Sequence, residues 1–170
     1  ASTGTFTLAN TTFKNNDAST GATIYYAASP SVIDIEGCNF TSNKVTAGNG
    51  AALDLPSGTT ETIIDNCTFE SNTASANGGA IYVGASDTTI EDSSFTNNKA
   101  KNANDIWIAG GKTSNSIRRS NFTGTNHIYM DANSNATLTS NKEISSVDGE
   151  YFIKNNKATL ALSGNDFYNL

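Results

Sequence analysis

An aliphatic residue followed five positions later by phenylalanine recurs along this chain. Leu8 leads to Phe13, Ile35 to Phe40, Ile64 to Phe69, Ile90 to Phe95, Ile117 to Phe122 and Leu162 to Phe167. Leu138 opens a degenerate copy, with Glu143 at the phenylalanine position and Ile144 just after it. The leading residues are spaced 27, 29, 26, 27, 21 and 24 apart. Each copy carries a second apolar piece: "TIYY" (Thr23–Tyr26), "ALDL" (Ala52–Leu55), "AIYV" (Ala80–Val83), "DIWI" (Asp105–Ile108), "HIYM" (His127–Met130) and "EYFI" (Glu150–Ile153). These pieces alternate with period two, as a strand with one buried face does. Gly, Asn, Ser and Asp lie between them, and no run has helical spacing.

Short strands at a period in the twenties leave few architectures. A propeller blade needs about 40 residues, and a leucine-rich repeat would show its own consensus. The spacing predicts an all-β, right-handed parallel β-helix, a solenoid of about seven coils, with residues 1–170 as one domain. Stacked at roughly 4.8 Å per rung, the coils form a rod about 30 Å long. No single coil buries its apolar face alone, but a stack does.

Equivalent positions then become ladders along the rod. The leading aliphatic column, Leu8 through Leu162, points inward, as does the phenylalanine column. A second inward pair is Ile24/Tyr26, Leu53/Leu55, Ile81/Val83, Ile106/Ile108 and Ile128/Met130. Asn16, Asn43, Asn72 and Asn98 stand three residues after a phenylalanine, where stacked amides form a turn ladder. Cys38 and Cys67 share a column of small residues with Thr11, Ser93 and Ser120. Adjacent rungs bring two such cysteines within disulfide reach, so a bridge and a pair of buried thiols both fit.

The signatures F-x-x-N (at Phe13, Phe40, Phe69 and Phe95) and GGAI (Gly78–Ile81, with GAAL at Gly50–Leu53 close to it) resemble the repeat of chlamydial polymorphic outer-membrane proteins. They are also similar to the repeats of adhesin-like surface proteins of methanogenic archaea. The resemblance covers about the first 110 residues, and the rest by spacing. It implies a right-handed β-helical stalk or passenger at a cell surface, extracellular, with adhesion as its role. It names no ligand and carries over no binding residues.

Composition narrows the partners. A net charge of −6 and a pI of about 4.6 argue against nucleic acid and against attraction to anionic lipid. No apolar run approaches membrane-spanning length, so direct membrane insertion is not expected. "ASTGTFTLAN" is not a signal peptide. The chain reads as a mature piece or a segment of a longer surface protein. Neither terminus reads as a capping helix, which leaves excision from a longer array, self-capping or end-to-end self-association.

Parallel β-helices also include polysaccharide lyases and hydrolases, which need clustered carboxylates or calcium beside a basic residue. The nearest approach is the outward column Glu36, Asp65, Glu91, Arg118. Its three stacked acids would repel, raising their pKa or recruiting a cation; the plainer reading is a solvated face with Glu91 paired to Arg118. His127 has no nucleophile motif near it, and Gly110–Thr113 lacks the spacing of a phosphate loop. No catalytic residue and no cofactor is assigned.

The most informative outward column is Tyr25, Asp54, Tyr82, Trp107, Tyr129 and Phe152. Exposed aromatics in a row stack on sugars or anchor a protein partner, or they stabilise the sheet by stacking on one another. Tyr25, Tyr82, Trp107 and Tyr129 are the candidate ligand-binding residues, for a glycan or protein on another cell surface. Five N-x-[ST] triplets start at Asn10, Asn39, Asn66, Asn121 and Asn135; those at Asn39 and Asn121 are expected to face solvent. The reading is a non-catalytic, adhesin-like surface module. A polysaccharide-cleaving enzyme and a purely structural stalk are the alternatives.

Overall fold

The computed structural model describes residues 4–26, 28–145 and 151–167. The first turn carries β1 (Thr5–Ala9), β2 (Thr12–Lys14) and β3 (Asp17–Ala18). The second carries β4 (Val32–Glu36), β5 (Asn39–Thr41), β6 (Lys44–Val45) and β7 (Leu53–Leu55). The third carries β8 (Glu61–Asp65), β9 (Thr68–Glu70), β10 (Thr73–Ala74) and β11 (Ile81–Val83). The fourth has β12 (Thr88–Glu91), β13 (Ser94–Thr96) and β14 (Ile106–Ile108), and the fifth has β15 (Asn115–Arg118), β16 (Asn121–Thr123) and β17 (Ile128–Met130). The sixth has β18 (Asn135–Thr139), β19 (Lys142–Ser145) and β20 (Ile153–Asn155), and β21 (Thr159–Ser163) opens a seventh rung.

Every strand pairs in parallel with its counterpart one turn away. The leading wall runs β1-β4-β8-β12-β15-β18-β21 and the phenylalanine wall β2-β5-β9-β13-β16-β19. An outer wall runs β7-β11-β14-β17-β20, and a short fourth wall joins β3, β6 and β10. This is a parallel β-helix: seven rungs that bound about six turns. No helix of the described residues is long and apolar enough to cross a membrane.

The ladders fall in the expected register. Leu8, Ile35, Ile64, Ile90, Ile117, Leu138 and Leu162 are successive partners on the leading wall. Phe13, Phe40, Phe69, Phe95 and Phe122 stack with their planes nearly parallel and ring centroids 5.1, 5.2, 4.9 and 4.9 Å apart. Full burial of each such ring is worth roughly 1.5–3 kcal/mol, with about 0.5–1.5 more from each ring pair.

The corners have their own rule. Two residues after each leading aliphatic, the backbone takes a positive φ: Asn10, Gly37, Asn66, Asp92, Arg119, Ser140 and Gly164, all between 48° and 62°. Asn, Asp and Gly reach this region most cheaply, which explains most of the column. It also accounts for two of the N-x-[ST] triplets, whose Asn10 and Asn66 are corner residues. The GGA signature is a second corner. Gly78 has φ +61°, and a Cβ there would lie 2.1 Å from the Ile81 carbonyl oxygen.

The asparagine ladder closes the turn beyond the phenylalanine wall. Asn16 donates its Nδ2 to Asn43 Oδ1 at 2.7 Å, Asn43 to Asn72 at 3.0 Å, and Asn72 to Asn98 at 3.0 Å. Each Oδ1 also accepts the backbone N–H of the asparagine below it. The small-residue column works alike. Cys67 Sγ accepts the Cys38 amide at 3.4 Å, Ser93 Oγ the Cys67 amide at 3.1 Å, and Asn141 Oδ1 the Ser120 amide at 3.0 Å. Both cysteines are free, buried thiols, and burial pushes Cys67 up to about 12.

Two expectations are corrected, and the degenerate copy is as read. Leu162 is 52% exposed because no further rung among the described residues covers it. Phe152 points inward, not outward. β20 pairs Ile153 with Ile128 and Lys154 with Tyr129, two residues later than the "EYFI" alignment supposes, which puts Phe152 in the inward column of His127. That turns Phe152 onto Phe122 and His127, with centroids 5.1 Å away in each case. Glu150, the first residue of that piece, lies outside the described residues. In the degenerate copy, buried Glu143 takes the phenylalanine position while Ile144 faces out.

Phe69→Ala is expected to cost about 3–5 kcal/mol in urea unfolding, and Gly78→Ala more than about 1 kcal/mol. Thr68→Ala, beside Phe69 but off the inward face, should cost well under either.

Candidate binding surface

The outer wall follows from strand alternation. In β11, β14 and β17 the first and third residues are buried, which sends Tyr82, Trp107 and Tyr129 outward as register partners. Asp54 precedes them and Lys154 follows, in the place expected of Phe152. Tyr25 follows Ile24, whose bridge to Leu53 sets it on the same wall, and it is 70% exposed. The four candidate residues therefore share one face, but they do not make one uniform platform. Trp107 and Tyr129 stack with centroids 4.0 Å apart and planes 2° from parallel. Lys154 Nζ lies 5.8 Å from the Tyr129 ring centre and equally far from that of Tyr151. One face each of Trp107 and Tyr129 is thus taken by the other ring.

Asp54 is the chemically unusual member. Burial between the outward side chains pushes its carboxyl up to about 6. Tyr82 is pushed up by the same burial, then by the charges of Asp54 and Asp131.

The acidic column is assembled as expected: Glu36, Asp65, Glu91 and Arg118 are consecutive partners. It does not behave as three repelling acids. Arg118 Nε donates to Glu91 Oε2 at 2.7 Å, Arg119 reaches the same oxygen, and Arg119 also pairs with Asp92 at 2.7 Å. The Arg118 hydrogen bond holds Glu91 below its ordinary value, and Arg119 does the same for Asp92. Of the two readings of this column, the pairing of Glu91 with Arg118 is the one the structure shows, with Glu91 lowered and not raised. Among the described residues, no group of three or more His, Cys, Asp or Glu is arranged to hold a metal ion.

Two features escaped the sequence. His127 is not alone: its Nδ1 meets Asp105 Oδ2, and its Nε2 lies 3.7 Å from Glu143 Oε1. All three are buried, at 0%, 1% and 2% exposure. The second is a recess of about 510 Å³ lined by Ser71, Thr73, Asn97, Asn98, Lys99, Asn104, Gly124 and Thr125. It lies where the fifth turn is cut short. Ile128 follows Phe122 after 6 residues, whereas Ile106 follows Phe95 after 11. The shortened turn has no counterpart of β3, β6 and β10, so the fourth wall stops. Asn104 patches the step, accepting the Ala100 amide at 3.1 Å and donating to the Thr125 carbonyl at 2.8 Å. The 21-residue interval was the available signal. Asn39 and Asn121 face solvent, as expected of two of the glycosylation triplets, and Gly110–Gly111 form an exposed turn.

Residues 66–84 match the model of the Chlamydia polymorphic membrane protein repeat. The matched segment runs from the Asn66 corner through the Phe69–Asn72 signature to the GGA corner and β11. The chain thus resembles, over one stretch of its third turn, a repeat of surface-associated outer-membrane proteins. No curated protein and no solved structure matches the chain.

Asp54→Asn tests the electrostatics of this wall. Asp54 holds its proton to about pH 6 in the fold, against an ordinary 3.8. Stability is therefore fullest below about pH 4 and falls as pH rises through 6. With solvent screening allowed for, the variant is expected to gain about 1 kcal/mol at pH 7.5, a rise of about 2–4 °C in Tm. At pH 4 it should melt with the parent.

Proposed function

We propose that this chain is a rigid, non-catalytic segment of an extracellular, surface-displayed adhesin-like protein, whose outer wall engages a glycan or protein on another cell. The observation that carries the reading is the place of the matched repeat. F-x-x-N and GGA are the residues that stack one turn on the next, so the resemblance concerns a display scaffold and not a reaction centre. The outer wall adds amphipathic side chains held in a fixed line, with Tyr25 the most open. The non-catalytic part rests on the interior. The one Asp–His–Glu constellation among the described residues is sealed where no substrate reaches it.

A stalk without a ligand of its own has one observation in its favour, the mutual stacking of Trp107 and Tyr129. A glycan array and a whole-cell binding assay separate the two readings. Tyr82→Ala with Trp107→Ala is expected to weaken binding at least tenfold while the circular dichroism stays unchanged. Binding that survives both changes moves the contact elsewhere, absence of binding by the parent leaves the stalk, and depolymerisation of an acidic polysaccharide would overturn the non-catalytic reading.

A further inference from the structure

Three ionisable side chains interrupt an otherwise apolar core between the fourth and sixth turns. Their columns show how they come together. Before the outer-wall strands, the inward position reads Ala52, Ala80, Asp105, His127, Phe152 along the rod. Glu143 stands above Phe122 in the phenylalanine ladder. Asp105 comes from the fourth turn, His127 from the fifth and Glu143 from the sixth, so the trio spans three consecutive rungs. It is joined to the asparagine ladder, because Asn98 Nδ2 donates to Asp105 Oδ1 at 2.8 Å. Phe122 and Phe152 pack on the imidazole, with centroids 5.3 and 5.1 Å away.

Charge limits what such a trio can be. Two carboxylates beside a neutral imidazole carry −2, which a buried, largely apolar core tolerates poorly. One proton shared over the three groups gives −1, and two give zero. We propose that Asp105, His127 and Glu143 form a proton-dependent clasp that fastens the fifth and sixth turns onto the fourth, and that opens as protons are withdrawn. The proton belongs to the trio as a coupled unit. Burial pushes the Asp105 carboxyl up, with the His127 contact and the Asn98 amide pulling it part of the way back.

Among the described residues, the other charged or titratable groups on the surrounding elements are exposed or part-buried. Lys99, Lys142, Lys154 and Asp166 are exposed. Part-buried Asp131 is bonded to the Ala132 amide and to Asn156, and part-buried Tyr151 has Lys154 beside its ring. Between pH 7 and 8.5 the unfolded chain has released these three protons, since its histidine titrates near 6.5 and its carboxyls near 4. The folded trio keeps at least one. The folded state therefore binds more protons, and stability of these turns falls as pH rises. Asp54 has lost its proton by this range and the phenols of the unfolded chain keep theirs; the thiols, which ionise at about 8.5, lie in the second and third turns, outside the β16–β19 segment whose opening is read.

Amide exchange of the whole chain between pH 7 and 8.5, corrected for intrinsic exchange, reads this directly. The opening constant of β16–β19 is expected to rise about tenfold per pH unit for each proton held. Asp105→Asn with Glu143→Gln keeps the shapes and removes both carboxylates, and it should abolish the slope. A pH-independent opening constant in the parent overturns the proposal, whether or not the variant folds. So does a slope that survives in the variant.

Discussion

In-register stacking of one rung on the next is the constraint from which the rest of this structure follows. A parallel β-helix has few contacts within a turn, so a turn gains its stability from the turns above and below it. Backbone pairing fixes the spacing, and the spacing then decides which side chains serve. Flat rings meet face to face, branched aliphatics interlock, and an asparagine amide both donates upward and accepts from below. Each ladder rewards repetition of the same residue. That is why a chain with so few charged residues carries so regular a sequence, and why its polar majority is ordered.

The departures from repetition are as informative as the repeat. The fifth turn omits the short fourth wall, and two consequences follow at the same height. The asparagine ladder loses its next member, since Thr125 stands where an amide is needed, and Asn98 turns its free donor to Asp105. The wall steps inward and leaves a polar recess patched by Asn104. From this level the inward columns also change character, as alanine gives way to Asp105 and His127, and phenylalanine to Glu143. Below the step the rod is held by identical side chains. Above it, unlike groups must match in charge and hydrogen bonding. Removing one member of such a buried set is costly, whereas replacing all of it by packed apolar groups need not be.

Most of the fold was legible in spacing. The leading, phenylalanine, asparagine and small-residue columns could be written down from a five-residue offset, because period-two alternation leaves one inward face per strand. Legibility failed where the offset was read too loosely or not far enough. Glu143 sat at the inward position by the same rule that placed Phe122, but its charge argued against burial until a partner was known. Phe152 was misplaced by two residues: it falls in the inward position that precedes the strand, beside His127, and Lys154 takes the outward place. Asp105 and His127 were visible as column members, yet nothing in a single sequence says that residues 22 apart meet within hydrogen-bond reach. The outer wall's membership was legible, but its mutual stacking was not, because ring orientation depends on neighbours that composition does not order.

Spin labels along one solvent-facing column measure the central geometry most directly. Thr12, Asn39, Thr68, Ser94, Asn121 and Lys142 are successive register partners on the phenylalanine wall. With one label at Thr12 and the second moved through Ser94, Asn121 and Lys142, the backbone separation should grow steadily, from about 14 to about 19 to about 24 Å at roughly 4.8 Å per rung. Distances that fail to increase in that order, or that jump by the width of a sheet packed face to face, would contradict the stacked solenoid and everything built upon it.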